Sequence, residues 1–367
     1  MTSTTTRDRR IGVSPAPEPA DSYRAARARS AQLERELRES PERHRVLTGD
    51  RPTGSLHLGH YLGTLTNRVR LQNLGVPIFI VIADYQVITD RDGTGPLRER
   101  VRGLVADYLS VGLDAERTVI FPHSAVPALN QLLVPFLSLV SAAELQRNPT
   151  VKAEAAAAGR AISGLLLTYP VHQAADILCC GGTIVPVGSD QLPHLEVTRL
   201  IARRFTERYG PVFDEPAALL ADTPTVLGTD GTKMSKSRGN AIDLSATEDE
   251  TAAAIRAART DGERRITFEP DRRPEVANLL TIAAVLTGDC PASLAERVGD
   301  GGSARLKHLV TAAVNESLRP VRTRRRELIA DPGYLDAVLV DGIATMTGIA
   351  GQTLDRVRHA MGMRYLA

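Results

Sequence analysis

Residues 45–60, RVLTGDRPTGSLHLGH, lead from a short apolar segment through a turn rich in Gly and Pro into the start of a helix. The apolar segment reads as a buried strand. The first N–H groups of a helix lack partners within it and its dipole favours an anion, so this order predicts a phosphate site. Gly59 permits close approach, and His57 and His60 share one helical face. A loop ending in a helix that happens to carry His is the plainer interpretation of these residues alone.

A second cationic segment, GTKMSKSRGN at 231–240, lies far downstream. Lys233 and Lys236 stand among small and hydroxylic residues bounded by glycines, a composition typical of a mobile loop. Such a loop can carry positive charge onto a polyphosphate and withdraw it, although a solvated linker would have a similar composition. Together, HxGH and KMSKS resemble the paired signature of class I aminoacyl-tRNA synthetases.

A third segment, VPVGSDQLPHLEVTR at 185–199, resembles a run of the tryptophanyl-tRNA synthetase branch of that class. The resemblance covers the chain from about residue 45 to its end. It implies a ligase that activates L-tryptophan with ATP to tryptophanyl-adenylate and transfers it to tRNA(Trp). It also implies ATP as substrate, Mg²⁺ bound with the ATP, and a homodimer.

The composition is ordinary for a globular protein of about two domains. The chain has 367 residues, of which 24% are charged and 43% hydrophobic, and a net charge of only +2. Binding to nucleic acid must therefore use local basic patches.

No uninterrupted apolar run reaches the roughly 18 residues of a membrane span, and no secretory segment is evident. Cys179, Cys180 and Cys290 lack metal-binding spacing, so we expect reduced thiols in a cytoplasmic protein with no membrane contact.

The pattern along the chain predicts three parts. Residues 1–44 form an N-terminal extension, disordered at first and then helical at 21–39, where a dimer contact, a tRNA contact and a solvated arm are open alternatives. Residues 45–243 alternate strands and helices, which predicts an α/β, Rossmann-like parallel sheet. The resemblance implies a connecting insertion near 120–170. Residues 244–367 show helical periodicity only, and the resemblance implies an anticodon-binding domain.

Apolar periodicity and capping residues predict the individual elements. They are strands at 76–83, 118–121 and 184–188, and helices at 96–111, 127–140, 190–208, 248–259, 274–287, 303–318, 320–330 and 341–361. The densest basic cluster, at 319–326, is expected to contact tRNA phosphates, with a solvated helix face as the alternative.

The resemblance assigns catalysis to His57, His60, Lys233 and Lys236. An amino-acid carboxylate is already a nucleophile, so we expect catalysis by positioning and electrostatic stabilisation. The ATP-binding residues implied are Arg51, Pro52, Thr53, Gly59, His60, Gly188, Ser189, Asp190, Lys233, Met234, Ser235, Lys236 and Ser237. Asp190 also suits a helix N-cap. Arg51 stands where common bacterial members have Gln, which leaves the role of its side chain open.

The run YPVHQAADI at 169–177 is implied to select the amino acid. The Asp of that run accepts the indole N–H in the family, so the role falls to Asp176. A buried acceptor built for one N–H rejects analogues that lack it. The other tryptophan-binding residues implied are Tyr169, Gln173, Gln191 and Gln86. Gln86 and Gln173 depart from the commonest bacterial pattern. No set of metal ligands appears, and no protein-held metal is expected.

Several functions remain open from the sequence. Gln173 also fits the tyrosyl-tRNA synthetase branch, although the segment at 185–199 favours tryptophan. A synthetase-like nucleotide-binding regulator without tRNA charging would not need both motifs and a full helical C-terminal part. A dinucleotide oxidoreductase is disfavoured because no GxGxxG follows the first strand.

Overall fold

The structure is a computed structural model that describes residues 19–89, 93–158, 162–188, 191–220 and 226–365. The side chains at 19–22, 157–158 and 237 are outside this description. The disorder expected at the start of the chain falls on residues 1–18, which also lie outside the described residues.

The described strands form one parallel sheet in the order β3-β2-β1-β4-β5. They are β1 Val46–Asp50, β2 Ile78–Ile82, β3 Thr118–Pro122, β4 Ile184–Val187 and β5 Ala217–Leu220. Strand β2 is buried at every position, which explains its continuous apolar sequence. The predicted Rossmann-like parallel sheet is confirmed. Strand β5 was missed because its sequence, AALL, is short and has no β-branched residue.

The helices follow the predicted alternation and then fill the C-terminal part. They are α1 Pro19–Glu39, α2 Leu58–His60, α3 Thr66–Asn73, α4 Leu97–Ser110, α5 Pro127–Leu137, α6 Ala142–Arg147, α7 Pro149–Ala158, α8 Gly164–Cys179, α9 Leu192–Tyr209, α10 Glu248–Ala257, α11 Pro274–Thr287, α12 Pro291–Val298, α13 Gly302–Ala330 and α14 Pro332–Ala360. A π-helical segment, Tyr61–Leu65, joins α2 to α3.

Two predicted helix boundaries are wrong. Pro320 lies inside α13 instead of between two helices, because buried leucines and valines continue along the same face on both sides of it. That packing outweighs the hydrogen bond that a proline removes. Helix α14 begins at Pro332, well before the predicted residue 341, and Asp331 caps it by accepting the Tyr334 N–H at 3.0 Å.

The two faces of the sheet carry separate hydrophobic clusters. Alternate residues of β2 point to opposite sides, so Ile80 packs in the cluster that includes α4, α11 and α13, whereas Phe79 packs in the cluster with α5 and α8. Helices of the C-terminal part therefore share a core with the sheet. The proposed domain boundaries at 44 and 243 stay a prediction.

Helices from the two ends of the chain cover the two edges of the sheet. At β5, the buried Ser30 of α1 accepts the Leu220 N–H at 2.9 Å and lies 3.1 Å from the Ala218 carbonyl oxygen. At β3, α14 approaches so closely that a Cβ on Gly342 would lie 1.9 Å from the Ile120 carbonyl oxygen. Unpaired strand edges invite pairing with other chains, and both edges are protected here. Helix α1 thus packs on the sheet instead of extending as a solvated arm.

Helix α14 is long and apolar enough to match a membrane span by length and composition alone. The sequence shows no uninterrupted apolar run here because Asp336 and Asp341 divide the apolar residues of the helix. Its apolar residues Leu335, Val338 and Met346 are buried in the protein core. Packing in the protein core therefore accounts for these apolar residues of the helix.

Replacing Gly342 with Ala should lower the free energy of unfolding by at least the roughly 1–3 kcal/mol of an overpacked core. The added methyl group would meet a backbone oxygen, which cannot rotate away. Gly348→Ala, in the same helix, is the matched control, because nothing lies within 4 Å of its Cβ position. That control should gain about 0.5–1 kcal/mol. Urea unfolding measures both, and equal stabilities would contradict the close approach of α14 to β3.

Candidate active site

A cleft opens at the carboxyl ends of β1 and β4, on either side of the point where the strand order reverses. Ligands of open α/β sheets bind at such a switch point. The volume of the cleft is about 340 Å³, which lies within the range of ordinary small-ligand sites.

The cleft brings together seven of the predicted site residues. All of those expected to bind the amino acid line it, as do two of the nucleotide set: Asp176, Tyr169, Gln173, Gln191, Gln86, Arg51 and Gly188. Pro52 and Thr53 lie in the adjoining turn after β1, where the Thr53 N–H donates to the Arg51 carbonyl oxygen at 2.7 Å. Ser189 and Asp190 lie outside the described residues.

The two cationic motifs meet beside this cleft, although they are far apart in sequence. The Leu58 N–H donates to the Ile242 carbonyl oxygen at 2.8 Å, and the Leu244 N–H donates to the Leu56 carbonyl oxygen at 2.9 Å. His57 and Asp243 form an isolated antiparallel bridge between these contacts. The start of α2 is therefore tied to the segment that follows KMSKS.

Glycines of the first motif provide the space that side chains of the second occupy. The Lys236 Nζ lies 3.3 Å from the position of a Cβ on Gly54, whose φ of +139° also suits glycine. The Met234 Sδ lies 3.5 Å from the position of a Cβ on Gly59. The structure thus brings residues 233–236 against residues 54–60.

The two histidines of the first motif lie ring against ring, with centroids 3.8 Å apart. The backbone N–H of His57 donates to the ring Nδ1 of His60 at 3.2 Å, which places the ring proton of His60 on Nε2. Burial lowers the pKa of His57 to about 3, and the charges of His60 and Lys236 act in the same direction. Burial also lowers the pKa of His60, against the attraction of Asp50. Both rings are therefore neutral hydrogen-bond donors near neutral pH.

A carboxylate at the end of β1 forms a buried polar cluster that the sequence did not indicate. The Asp50 Oδ2 accepts a hydrogen bond from the Arg68 guanidinium at 2.6 Å and another from the Tyr108 hydroxyl at 2.8 Å. Burial alone would raise the pKa of Asp50, but Arg68 lowers it to about 2. Asp50 and Arg68 both line the cleft, so this ion pair holds two charged groups in fixed positions in the cleft wall.

The Asn240 side chain organises the KMSKS segment. Its Oδ1 accepts the Ser235 N–H at 2.7 Å, and its Nδ2 lies 3.2 Å from the Lys233 carbonyl oxygen and 2.7 Å from Asp230 Oδ1. Asn240 is buried, and a Cβ on the facing Gly228 would lie 2.3 Å from its amide carbon. One amide thus holds the backbone on both sides of Met234. The mobility expected of this loop stays a prediction.

The resemblance implies that Lys236 is catalytic in amino-acid activation. Replacing Asn240 with Ala should then reduce the rate of that reaction by about tenfold or more, because losing buried hydrogen bonds costs about 1–3 kcal/mol. The affinity for the amino acid should change little, since Asn240 does not line the cleft. Steady-state pyrophosphate exchange measures both. Asn73→Ala, at an exposed asparagine, is the control. An unchanged rate would mean that the loop is held by other contacts.

Asp176 lies on α8, 3% exposed, beside a histidine that the sequence interpretation missed. Its Oδ1 is 2.7 Å from the His123 Nδ1, and the two side chains form a buried ion pair. Burial would lower the pKa of His123, but the charges of Asp176 and Asp84 raise it above its usual value. His123 follows β3, and its position at the carboxyl end of a buried strand was the available signal.

Gln86 is oriented by a relay of two further side chains. Its Nε2 lies 3.1 Å from the His172 Nδ1, and the His172 Nε2 lies 2.9 Å from the Asn130 Oδ1. Burial lowers the pKa of His172 to about 4, so the neutral ring donates to Asn130 and accepts from Gln86. The Gln86 Oε1 is then buried without a hydrogen-bond partner among the described residues. A buried acceptor without a partner is costly, so this oxygen is placed to accept a ligand N–H.

Tyr169 completes this side of the cleft. Its hydroxyl lies 2.7 Å from the Nε2 of His194, a buried residue that also lines the cleft. Burial raises the pKa of Tyr169, so its hydroxyl keeps its proton. Among the described residues, no group of three His, Cys, Asp or Glu side chains could hold a metal ion.

Side chains of the basic cluster at 319–326 make contacts within the chain. Arg325 pairs with the buried Asp107, and an Arg322 guanidinium nitrogen lies 2.7 Å from the Thr251 hydroxyl oxygen. Arg319 and Arg324 pair with glutamates three residues away on the same helix. The expected contact of this cluster with tRNA phosphates stays a prediction, and Arg325 has an interior role.

Comparison with known proteins agrees with this geometry. The chain matches the family model of class I tRNA synthetases (W and Y) over residues 39–319. It is 45% identical to the tryptophan--tRNA ligase of Treponema pallidum, covering 87% of this chain and 97% of that protein. It is 38% identical to that of Thermotoga maritima, covering 88% and 100%. A Campylobacter jejuni tryptophanyl-tRNA synthetase structure complexed with ADP and tryptophan matches with a TM-score of 0.76 and 30% identity, covering 87% and 99%.

Proposed function

Because this chain belongs to the family of class I tRNA synthetases for tryptophan and tyrosine, we propose that it activates L-tryptophan with ATP and transfers it to tRNA(Trp). The observation that carries the proposal is the meeting of the two cationic motifs beside a cleft with a buried carboxylate. The Lys236 Nζ lies against the 54–60 turn, and Asp176 lines the adjoining cleft. One end of the cleft suits a triphosphate and the other a heteroaromatic amino acid.

The first step needs charge stabilisation more than proton transfer. The tryptophan carboxylate attacks the α-phosphorus of ATP, the bond from that phosphorus to the bridging oxygen breaks, and pyrophosphate leaves. Negative charge grows on the leaving group, and fixed donors in a partly desolvated site stabilise it most effectively. The neutral imidazoles of His57 and His60 supply hydrogen bonds, and Lys233 and Lys236 supply positive charge. ATP enters with Mg²⁺ bound to its phosphate oxygens.

The amino acid is recognised by buried acceptors that line the cleft. Asp176 accepts the indole N–H, and the oriented Gln86 Oε1 accepts a second N–H from the substrate. A phenol could also donate to a carboxylate, so the pocket alone does not distinguish tryptophan from tyrosine. Two tryptophan--tRNA ligases, at 45% and 38% identity, match this chain over nearly their whole length, and this similarity favours tryptophan.

The remaining parts of the proposal rest on the family resemblance. We expect the chain to form a homodimer in the cytoplasm, without membrane contact. We also expect its C-terminal helices to bind the anticodon of tRNA(Trp). Sedimentation of the purified chain at several concentrations tests the dimer. A monomer at all concentrations would contradict that part and leave the catalytic proposal standing.

Pyrophosphate exchange with each amino acid, followed by charging of total tRNA, tests the function. We expect exchange with tryptophan and formation of tryptophanyl-tRNA. Exchange with tyrosine and none with tryptophan would overturn the assignment in favour of a tyrosyl enzyme. Adenylate formation without tRNA charging would instead indicate a nucleotide-binding regulator.

A further inference from the structure

A single buried carboxylate joins the catalytic turn to the C-terminal helices. Asp107 of α4 is 0% exposed. Its Oδ2 accepts the N–H of Leu56, the residue before His57, at 2.9 Å. Its Oδ1 accepts a hydrogen bond from the Nε of Arg325 on α13 at 2.6 Å. The backbone of the first motif is therefore held, through Asp107, by a residue of the C-terminal helical part.

The same carboxylate belongs to a cluster of four charges that includes the catalytic lysine. Burial raises the pKa of Asp107, and the charges of Arg325 and Lys236 oppose that rise. Burial raises the pKa of Asp243 as well, again opposed by Lys236 and Arg325. The Asp243 Oδ1 is buried without a hydrogen-bond partner among the described residues. Two cations thus serve one fully buried acid, Asp107, and one half-buried acid, Asp243. Only one of those cations belongs to the KMSKS motif.

We propose that Arg325 is a positioning residue for amino-acid activation, which neutralises Asp107 and so leaves Lys236 available to the phosphates of ATP. A buried carboxylate that loses its partner is strongly destabilising and attracts whatever cation remains. Without Arg325, Lys236 is the remaining lysine whose charge acts on Asp107. It would be drawn toward that acid and away from the triphosphate. The inference rests on the proposed function and deepens it, since it assigns a role in activation to α13.

The inference also accounts for an arginine in the interior of the basic cluster. Arg325 is 19% exposed at its side chain, whereas Arg324 beside it is 55% exposed and pairs with Glu327 on the surface. A guanidinium gives Asp107 a hydrogen bond as well as a charge, and it cannot lose its proton. The residue type therefore suits a fixed counter-charge.

Pyrophosphate exchange without tRNA tests the proposal, because contacts with nucleic acid do not enter the measurement. Arg325→Met, which removes the charge and keeps the length, should lower kcat at least tenfold and leave the KM for tryptophan within twofold. Arg325→Lys should recover part of the loss. Adding Asp107→Asn to Arg325→Met should recover most of it, because the amide oxygen still accepts the Leu56 N–H and no buried charge is left unpaired. Arg297→Met, at an exposed arginine of the helical part that pairs with Asp289, is the matched control and should stay within twofold of the wild type.

Two results would overturn the proposal. One is a wild-type kcat in the folded Arg325→Met chain. The other is a loss that Asp107→Asn fails to recover while thermal unfolding is unchanged, since a mere packing role would not be rescued by removing the acid. If Arg325→Met alone fails to fold, Arg325→Lys and the double variant decide the same question. A wild-type chain that exchanges pyrophosphate with no amino acid would instead overturn the proposed function, before any variant is compared.

Discussion

Replacing Lys236 with Ala should slow tryptophan activation by about 10²- to 10³-fold, the usual effect of removing one donor that stabilises transition-state charge. The Lys236 Nζ reaches the 54–60 turn, where the triphosphate is proposed to bind. Lys236 is partly buried, and burial lowers the pKa of its ammonium group. Charges interact more strongly in such surroundings than in water. Lys233→Ala should act in the same direction.

The affinity for tryptophan should stay nearly unchanged in the Lys236 variant, because the lysine acts on phosphate and not on the amino acid. The chain contains no Trp, so the fluorescence of bound tryptophan can be followed directly over a tyrosine background. Lys307→Ala is the control, since that lysine contacts the Arg256 carbonyl oxygen on the surface of the C-terminal part. Equal losses in binding and in kcat would show that Lys236 does not act on the transition state.

Replacing Asp176 with Ala should weaken tryptophan recognition by about 1–3 kcal/mol, the cost of leaving a buried donor without its acceptor. The variant also leaves His123 without its charge partner, which adds to the loss. Fluorescence titration gives the affinity, and the ratio of kcat/KM for tryptophan and phenylalanine gives the selectivity. That ratio should fall, because the indole N–H no longer distinguishes the two substrates.

Two further variants separate recognition from folding. Asp176→Asn keeps the shape and one acceptor oxygen, so it should retain more affinity than Asp176→Ala. Asp355→Ala, at an exposed carboxylate of α14, should behave as the wild type. Wild-type selectivity in the Asp176→Ala chain would mean that the amino-acid pocket lies elsewhere.

The local parts of the site could be predicted from the sequence, because strand, glycine turn and helix follow one another within residues 45–60. Relations between distant side chains outside the recognised motifs could not. His123, His172 and Asn130 come from different elements, and only the fold shows that they surround Asp176 and Gln86. Only His123, which follows a buried strand, stands at a position that carries a signal in the sequence.

The basic cluster illustrates the same limit. Adjacent arginines at 324 and 325 look equivalent in sequence, yet one lies on the surface and the other pairs with an interior acid. The rotational position of each residue on α13 determines which arginine faces the interior. The uninterrupted course of this helix through Pro320 was not predicted. Packing of valines and leucines on both sides of that proline outweighs the local signal for a break.

Helix α1 precedes the residues that the family model matches, yet it covers the outer edge of β5. A protein truncated to begin at residue 39 would retain all the catalytic groups described above. It would also expose the unpaired backbone groups at the edge of β5 and the apolar surface that Leu33 and Leu37 now cover. Such a surface recruits the same surface of a neighbouring molecule, so the truncated enzyme should precipitate or polymerise at concentrations where the full one stays dispersed.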